Sequence, residues 1–209
     1  RRSGGALLGD RIRMNAIDHD NVYMRSLATR GAVAELPDYL DRVIRLTQLA
    51  GFDLVIVETP GIGQGDAGVV PFVDVPIYVM TPEFGAASQL EKIDMLDFAE
   101  LVAINKFDRK GAEDAVRDVR KQMQRNREAF SETPEQMPVY GTIASRFNDD
   151  GVSALYFGLK QVLTDKSLAH WPQGRLPVPS SKLSSRTRAI VPPERQRYLA
   201  DIVDTVRAY

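Results

Sequence analysis

The chain of 209 residues contains no cysteine and only two histidines. Without a thiol, a disulfide framework, a cysteine nucleophile and a Cys-ligated zinc site are all excluded. Long apolar runs are also missing. A membrane-spanning helix needs about 20 consecutive apolar residues, and the longest runs here, such as Leu54-Val55-Ile56-Val57, are strand-sized. A soluble, cytosolic chain is expected. Charge of one sign is missing too: 27 Lys and Arg face 28 Asp and Glu, for a net charge of −1, so no broad cationic field invites nucleic acid. Residues 1–5 carry no apolar stretch, so they are not read as a signal peptide, and the lack of an initiator Met is read as a cut. What is present is an ordinary globular composition, with 44% hydrophobic and 26% charged residues, enough for a core at this length.

Strand-length apolar runs at 54–57, 75–80, 101–104 and 139–143 alternate with helical patterns. Apolar residues on consecutive positions fit strands covered on both faces. Pro37 is placed at N1 of a helix whose stripe is Leu40, Val43, Ile44 and Thr47, with Gly51 as its stop. Further helices are expected over 84–98 and 112–130, and over a stripe of Val152, Leu155, Leu159, Val162 and Leu163. This order predicts an α/β fold with a doubly wound, mostly parallel sheet. After 165 the prolines 172, 177, 179, 192 and 193, interspersed with serines, read as a linker. Tyr198, Leu199, Ile202, Val203 and Val206 then mark a last amphipathic helix.

The most informative segment is Leu101-Val102-Ala103-Ile104-Asn105-Lys106-Phe107-Asp108. It places Asn-Lys-x-Asp at the carboxyl end of a parallel strand, where open α/β sheets bind ligands. The Asp108 carboxylate can accept two hydrogen bonds, from the ring N–H and the exocyclic amine of guanine. Adenine offers no such donor pair, so a buried carboxylate against it would stay unpaired. Lys106 can lay its aliphatic stem along the base, while Asn105 ties neighbouring loops or reaches the purine. The alternative is a solvated loop after a strand.

A second motif, Glu58-Thr59-Pro60-Gly61-Ile62-Gly63-Gln64, follows the run at 54–57. An acid at a strand end before a Gly-bearing loop suits Mg²⁺ in a nucleotide hydrolase. Glu58 would hold the ion or its water, and the Gly61 N–H would approach a γ-phosphate. Gln64 could orient water, or be an ordinary surface residue; an ordinary turn is the alternative for the glycines. Gly4 and Gly9 have the G-x-x-x-x-G spacing of a Walker A loop, but Asp10-Arg11 stand where Lys-Ser/Thr is required. With guanine and Mg²⁺ motifs but no phosphate cradle, the sequence is expected to be preceded by a Walker A loop in the intact polypeptide.

Residues 4–14, 58–64 and 105–108 together resemble the G-protein chaperones of adenosylcobalamin-dependent acyl-CoA mutases. Within that family the wording, including Asn21-Val22-Tyr23-Met24-Arg25-Ser26, is most similar to the G domains built into fused isobutyryl-CoA mutases. The resemblance covers residues 1–165 and implies a P-loop NTPase-like fold here lacking its first strand and P-loop. It implies a linker over 166–192, then a helix over 193–209 leading toward the mutase substrate domain. It makes Asp10 a switch carboxylate near Mg²⁺, Glu58 the Walker B acid, and Asn105, Lys106 and Asp108 the base-recognition set. A third switch loop matches residues 82–92, with Gln89 and Lys92 conforming to the pattern, whereas stand-alone chaperones carry an acidic pair where Ala86 and Ala87 stand. The implied ligands are GTP/GDP and Mg²⁺. Adenosylcobalamin and the acyl-CoA substrate would be bound by the cobalamin-binding and substrate-binding domains of the same polypeptide, expected as a homodimer. The implied function is a GTP-hydrolysing chaperone that gates cofactor loading and protection in an enzyme interconverting isobutyryl-CoA and n-butyryl-CoA.

Other conspicuous residues have plainer readings. His19, flanked by Asp18 and Asp20, is expected to be solvated, and His170-Trp171-Pro172 to anchor the linker. Arg117, Arg120, Lys121, Arg125 and Arg127 read as a solvated or domain-facing helix surface. The competing functions are a metal-delivery GTPase, against which the two scattered histidines count, and a nucleotide-free interaction module.

Overall fold

A computed structural model describes residues 16–28, 36–59, 67–85, 87–185, 202–203 and 205–207. The chain divides into two compact units, Arg1–Asp74 and Val75–Tyr209.

In the first unit, helix α1 spans Leu40–Leu49. Leu40 is buried and Val43, Ile44 and Thr47 are half-buried, which is the expected stripe at i, i+3, i+4 and i+7. The helix begins three residues after Pro37, with Tyr39 at its N-cap, and the backbone leaves it through Gly51 at φ 85°. The Tyr39 hydroxyl donates to the Ala28 carbonyl at 3.1 Å, and the Tyr23 and Phe52 rings lie 6.2 Å apart. The run at 54–57 is not a strand, contrary to expectation. Ile56 is 80% exposed. A strand exists only through ladder bonds to a neighbour, and no described segment pairs with this one.

The second unit is built on a parallel sheet of three strands in the order β1 (Ile77–Met80), β2 (Leu101–Asn105) and β3 (Val139–Thr142). All three fall within the expected runs, apart from the extension of β2 to Asn105. Residues Leu101 through Ile104 are buried on both faces, as consecutive apolar positions require. On one face Leu101, Tyr140 and Ala154 form a cluster joined by Ile77, Leu155, Leu159 and Val162. The last three, with Ala154, belong to a helix spanning Asp150–Asp165. Val152, expected in that stripe, is 39% exposed, and Ala154 takes the inward place.

The other face packs on the helix Ala112–Asn126. Its buried residues Ala112, Ala115, Val116, Val119 and Met123 keep helical spacing, and burying each of the larger three is worth about 1.5–3 kcal/mol. The connection from β1 to β2 lies beside it. Right-handed crossovers between parallel strands taken in spatial order put both connections on one face.

That first connection is not the single helix expected over 84–98. It runs as a 3₁₀ turn at Pro82–Phe84, then α2 (Ala87–Leu90) and α3 (Met95–Phe98). The helices Ala112–Asn126 and Asp150–Asp165 are therefore α4 and α5. The break has a physical cause in the spacing of the apolar residues. Leu90, Ile93, Leu96 and Ala99 are all buried, three residues apart, and a continuous α-helix would rotate such a row off one face. Bonds from Ile93 N–H to Leu90 C=O and from Leu96 N–H to Ile93 C=O, each near 3 Å, keep the segment in three-residue turns instead.

The Pro/Ser-rich stretch is not free throughout. Residues 182–184 run parallel to β3 as a short edge ladder, with Gly141 N–H donating to Lys182 C=O at 3.0 Å and Ser184 N–H to Gly141 C=O at 2.8 Å. The last expected helix lies mostly outside the described residues, although 202–203 and 205–207 are helical.

Candidate functional site

β2 ends at Asn105, and the residues after it form a tight turn. Lys106 adopts a left-handed φ of 59°, and Arg109 N–H donates to Lys106 C=O at 3.0 Å. Phe107 N–H donates to Thr142 C=O at 3.0 Å, which ties the turn to the end of β3. The Phe107 ring covers Gly141 so closely that a Cβ there would lie 2.6 Å from the ring. The Asn105 side chain accepts from Ala144 N–H at 3.1 Å and from the Thr142 hydroxyl at 3.4 Å. Two loops from adjacent strand ends are thereby bound together.

Between them Asn105, Lys106, Asp108, Arg109 and Ser145 line a polar cavity of about 260 Å³. That is just under the roughly 300 Å³ at which small-molecule sites begin, a size suited to one ring system of a larger ligand. Asp108 is exposed and takes part in no ion pair among the described residues. Its two oxygens can therefore meet ligand donors. Arg109 pairs across the rim with Glu83, from the 3₁₀ turn after β1. The Glu83 carboxyl is held down to about 2, first by a hydrogen bond from Thr81, then by its own backbone N–H and by Arg109.

The structure brings Asn105, Lys106 and Asp108 together around this cavity. Glu58 belongs to the first unit, where it is exposed; its carboxylate is the hard oxygen donor that Mg²⁺ requires. Gln89, in α2, and Lys92 are exposed on the second unit. Asp10, Gly61 and Gln64 lie outside the described residues, as do Gly4, Gly9 and Ala86. A larger cavity of about 870 Å³ sits in the first unit, lined by Tyr23, Leu27, Tyr39, Val43, Leu46 and Phe52 among others. It is mostly apolar, with Arg25, Ser26, Asp38 and Thr47 also in its lining, and holds none of the residues expected to bind nucleotide or metal.

Sequence reasoning missed Arg109, Thr142, Ala144 and Ser145. The signal was available in principle, because in a parallel sheet the loops after neighbouring strands lie side by side at the carboxyl edge. The loop after β3 therefore had to face the one after β2. The plainer readings concern surface residues. His19 Nδ1 accepts from Asn21 N–H at 3.1 Å, Lys160 holds the Pro172 carbonyl at 2.9 Å, and Arg117 pairs with Asp114 and Asp118 on an exposed face of α4.

Comparison with known proteins places the chain in a family. The chain is 65% identical over its whole length to a fused isobutyryl-CoA mutase of Cupriavidus metallidurans, spanning 19% of that protein. It is 64% identical to one from Paraburkholderia xenovorans and 62% identical to one from Nocardia farcinica, spanning 17% and 19% of them. Residues 1–166 match the family described as methylmalonyl Co-A mutase-associated GTPase MeaB. A parallel α/β sheet with a polar cavity at the carboxyl end of its middle strand is the setting such a nucleotide-binding protein needs, and the chain belongs to the MeaB GTPase family.

Proposed function

We propose that this chain binds guanine nucleotides and hydrolyses GTP, and that its nucleotide state gates adenosylcobalamin loading and protection in a fused acyl-CoA mutase. The observation that supports this best is the cavity shared by Asn105, Lys106 and Asp108. Asp108 would accept the ring N–H and exocyclic amine of guanine. Adenine would leave that carboxylate without donors, a loss worth about 1–3 kcal/mol or more for a charged group. The Lys106 stem would lie along the base, and Asn105 keeps the loop after β3 in place through Ala144.

The phosphate end would be served by Asp10 and Glu58 holding Mg²⁺, by the Gly61 N–H, and by Gln64 orienting water. The ion, when bound, would neutralise charge developing on the phosphate oxygens. Loops over 10–30, 61–69 and 81–92, with Gln89 and Lys92, would carry the nucleotide state outward. The intact enzyme would interconvert isobutyryl-CoA and n-butyryl-CoA as a cytoplasmic homodimer, with cobalamin and acyl-CoA held by its other domains. Residues 1–165 would be the G domain, 166–192 the linker and 193–209 a helix toward the substrate domain. The names of the relatives and the family of the chain support this assignment.

The test is Asp108→Asn in the intact polypeptide. An amide can donate to the second oxo group of xanthine but cannot accept both guanine donors, so preference should shift from GTP toward XTP by about tenfold or more. Unchanged GTP affinity would refute the base assignment.

A further inference from the structure

The loop after β3 closes one side of the base cavity through Ser145, and it is fastened to a segment nearly forty residues further along the sequence. Four contacts join them. The Ser184 hydroxyl donates to Asp149 Oδ1, whose other oxygen accepts Ile143 N–H at 3.1 Å and Val152 N–H at 3.0 Å. The Arg146 guanidinium donates to Ser185 C=O at 2.7 Å. Ser185 N–H donates to Asp150 at 2.9 Å. The edge ladder between 182–184 and Gly141 completes the set.

Several features make this a fitted joint. Asp149 and Ser184 are both buried, so their hydrogen bond is shielded from water. Asp149 joins the cavity loop, the start of α5 and the distant segment in one carboxylate. A Cβ at Gly151 would lie 2.0 Å from Gly141 O and 2.8 Å from Ser184 N, so the helix start closes on the ladder with no space to spare. Gly141 in turn carries the Phe107 ring of the base turn. At its outer end Lys182 donates to the carbonyls of Glu135, Gln136 and Met137 at 2.8–3.2 Å. A movement of 182–185 therefore meets the cavity from two sides, through Gly141 to Phe107 and through Asp149 to Ile143.

We propose that residues 182–185 are a latch that positions the base loop, so that the segment following the sheet controls how firmly the nucleotide base is held. Ser184 and Asp149 are its positioning residues. Seated, the latch holds Ile143 through Arg146 so that Ala144 meets Asn105 and Ser145 faces the base. Withdrawn, it takes the Ser184 hydroxyl from Asp149 Oδ1, which keeps only Arg146 at 3.9 Å, and lets the loop relax. By reciprocity, a bound base favours the seated latch. The proposal rests on the reading of this cavity as a guanine site.

The test uses the intact polypeptide and a fluorescent GDP. Ser184→Ala, and separately Arg146→Met, should speed GDP dissociation roughly three- to tenfold, the range expected for loss of one hydrogen bond to a charged or carbonyl acceptor. The effect should appear in KM for GTP more than in kcat. Hydrogen exchange at the Ile143 and Ala144 amides should quicken in the same variants. Unchanged dissociation in both variants overturns the latch. So does an equal loss of kcat and KM accompanied by a lower unfolding temperature, which would make the segment an edge strand only. Failure of the wild-type protein to bind GDP would instead overturn the guanine reading beneath it.

Discussion

Lys106 holds a left-handed backbone at the mouth of the cavity, a conformation that costs a non-glycine residue about 1–2 kcal/mol. The other positive-φ side chains, Glu128, Asn148 and Ser167, stand at helix ends. Lys106 alone of the four interrupts the exit of a core strand, where the backbone reverses within two residues so that Asp108 reaches the same cavity. Stored strain of this kind belongs to sites that need a fixed geometry. Across the rim, Glu83 offers a direct measurement. Its depressed carboxyl contributes to stability above the ordinary value of 4.5, and that contribution is lost as pH falls through about 2. A carboxyl-detected NMR titration should place the Glu83 midpoint near 2, and Thr81→Ala should move it up toward the ordinary range. A wild-type midpoint already at the ordinary value would show that Thr81 and Arg109 do not hold the carboxylate.

At the level of elements, the apolar periodicity was readable wherever one face had to be buried. The stripe of α1, the stripe of α5 apart from Val152, and the three strands follow from it directly. The segment 84–98 defeated it because a row of Leu90, Ile93, Leu96 and Ala99 at intervals of three can be read as helical while belonging to successive tight turns. The start of α5 shows how much an element end depends on its neighbours. Asp149 caps it by accepting Val152 N–H, a pattern visible in sequence, but Gly151 is required by the Gly141 carbonyl, which no local pattern reveals. Gly151→Ala should therefore destabilise this unit by about 1–3 kcal/mol, the cost of overpacking against backbone, although alanine is the better helix former. An unchanged or raised unfolding midpoint in the intact polypeptide would contradict that close approach.

On the scale of the whole molecule, the chain spans 19% of a relative such as the Cupriavidus metallidurans protein. Its two units carry different halves of the expected chemistry. Val75–Tyr209 holds the cavity lined by Asn105, Lys106 and Asp108, and Arg1–Asp74 holds Glu58 after an apolar run that pairs with no described segment. The division predicts separable losses. Glu58→Ala in the intact polypeptide should reduce Mg²⁺-dependent GTP turnover by about tenfold or more, as removal of a group that stabilises transition-state charge does, while nucleotide binding without metal changes little. Equal losses in both would mean that Glu58 supports the fold and has no role at the phosphates.

The three strands of the parallel sheet, the helices α1, α4 and α5 and the strand-end position of Asn105-Lys106-x-Asp108 were legible in the sequence alone, because burial of one or both faces and a polar motif after an apolar run leave local marks. Which loop completes the cavity, and what holds that loop, were decided only in three dimensions. Ser145 lines the cavity because β3 lies next to β2, and Ser184 meets Asp149 beneath that loop because a Pro/Ser-rich stretch with no periodicity pairs with the backbone of Gly141. Hydrogen bonds between main-chain groups carry no residue code, so the partner of an open sheet edge becomes visible only when the edge itself is formed.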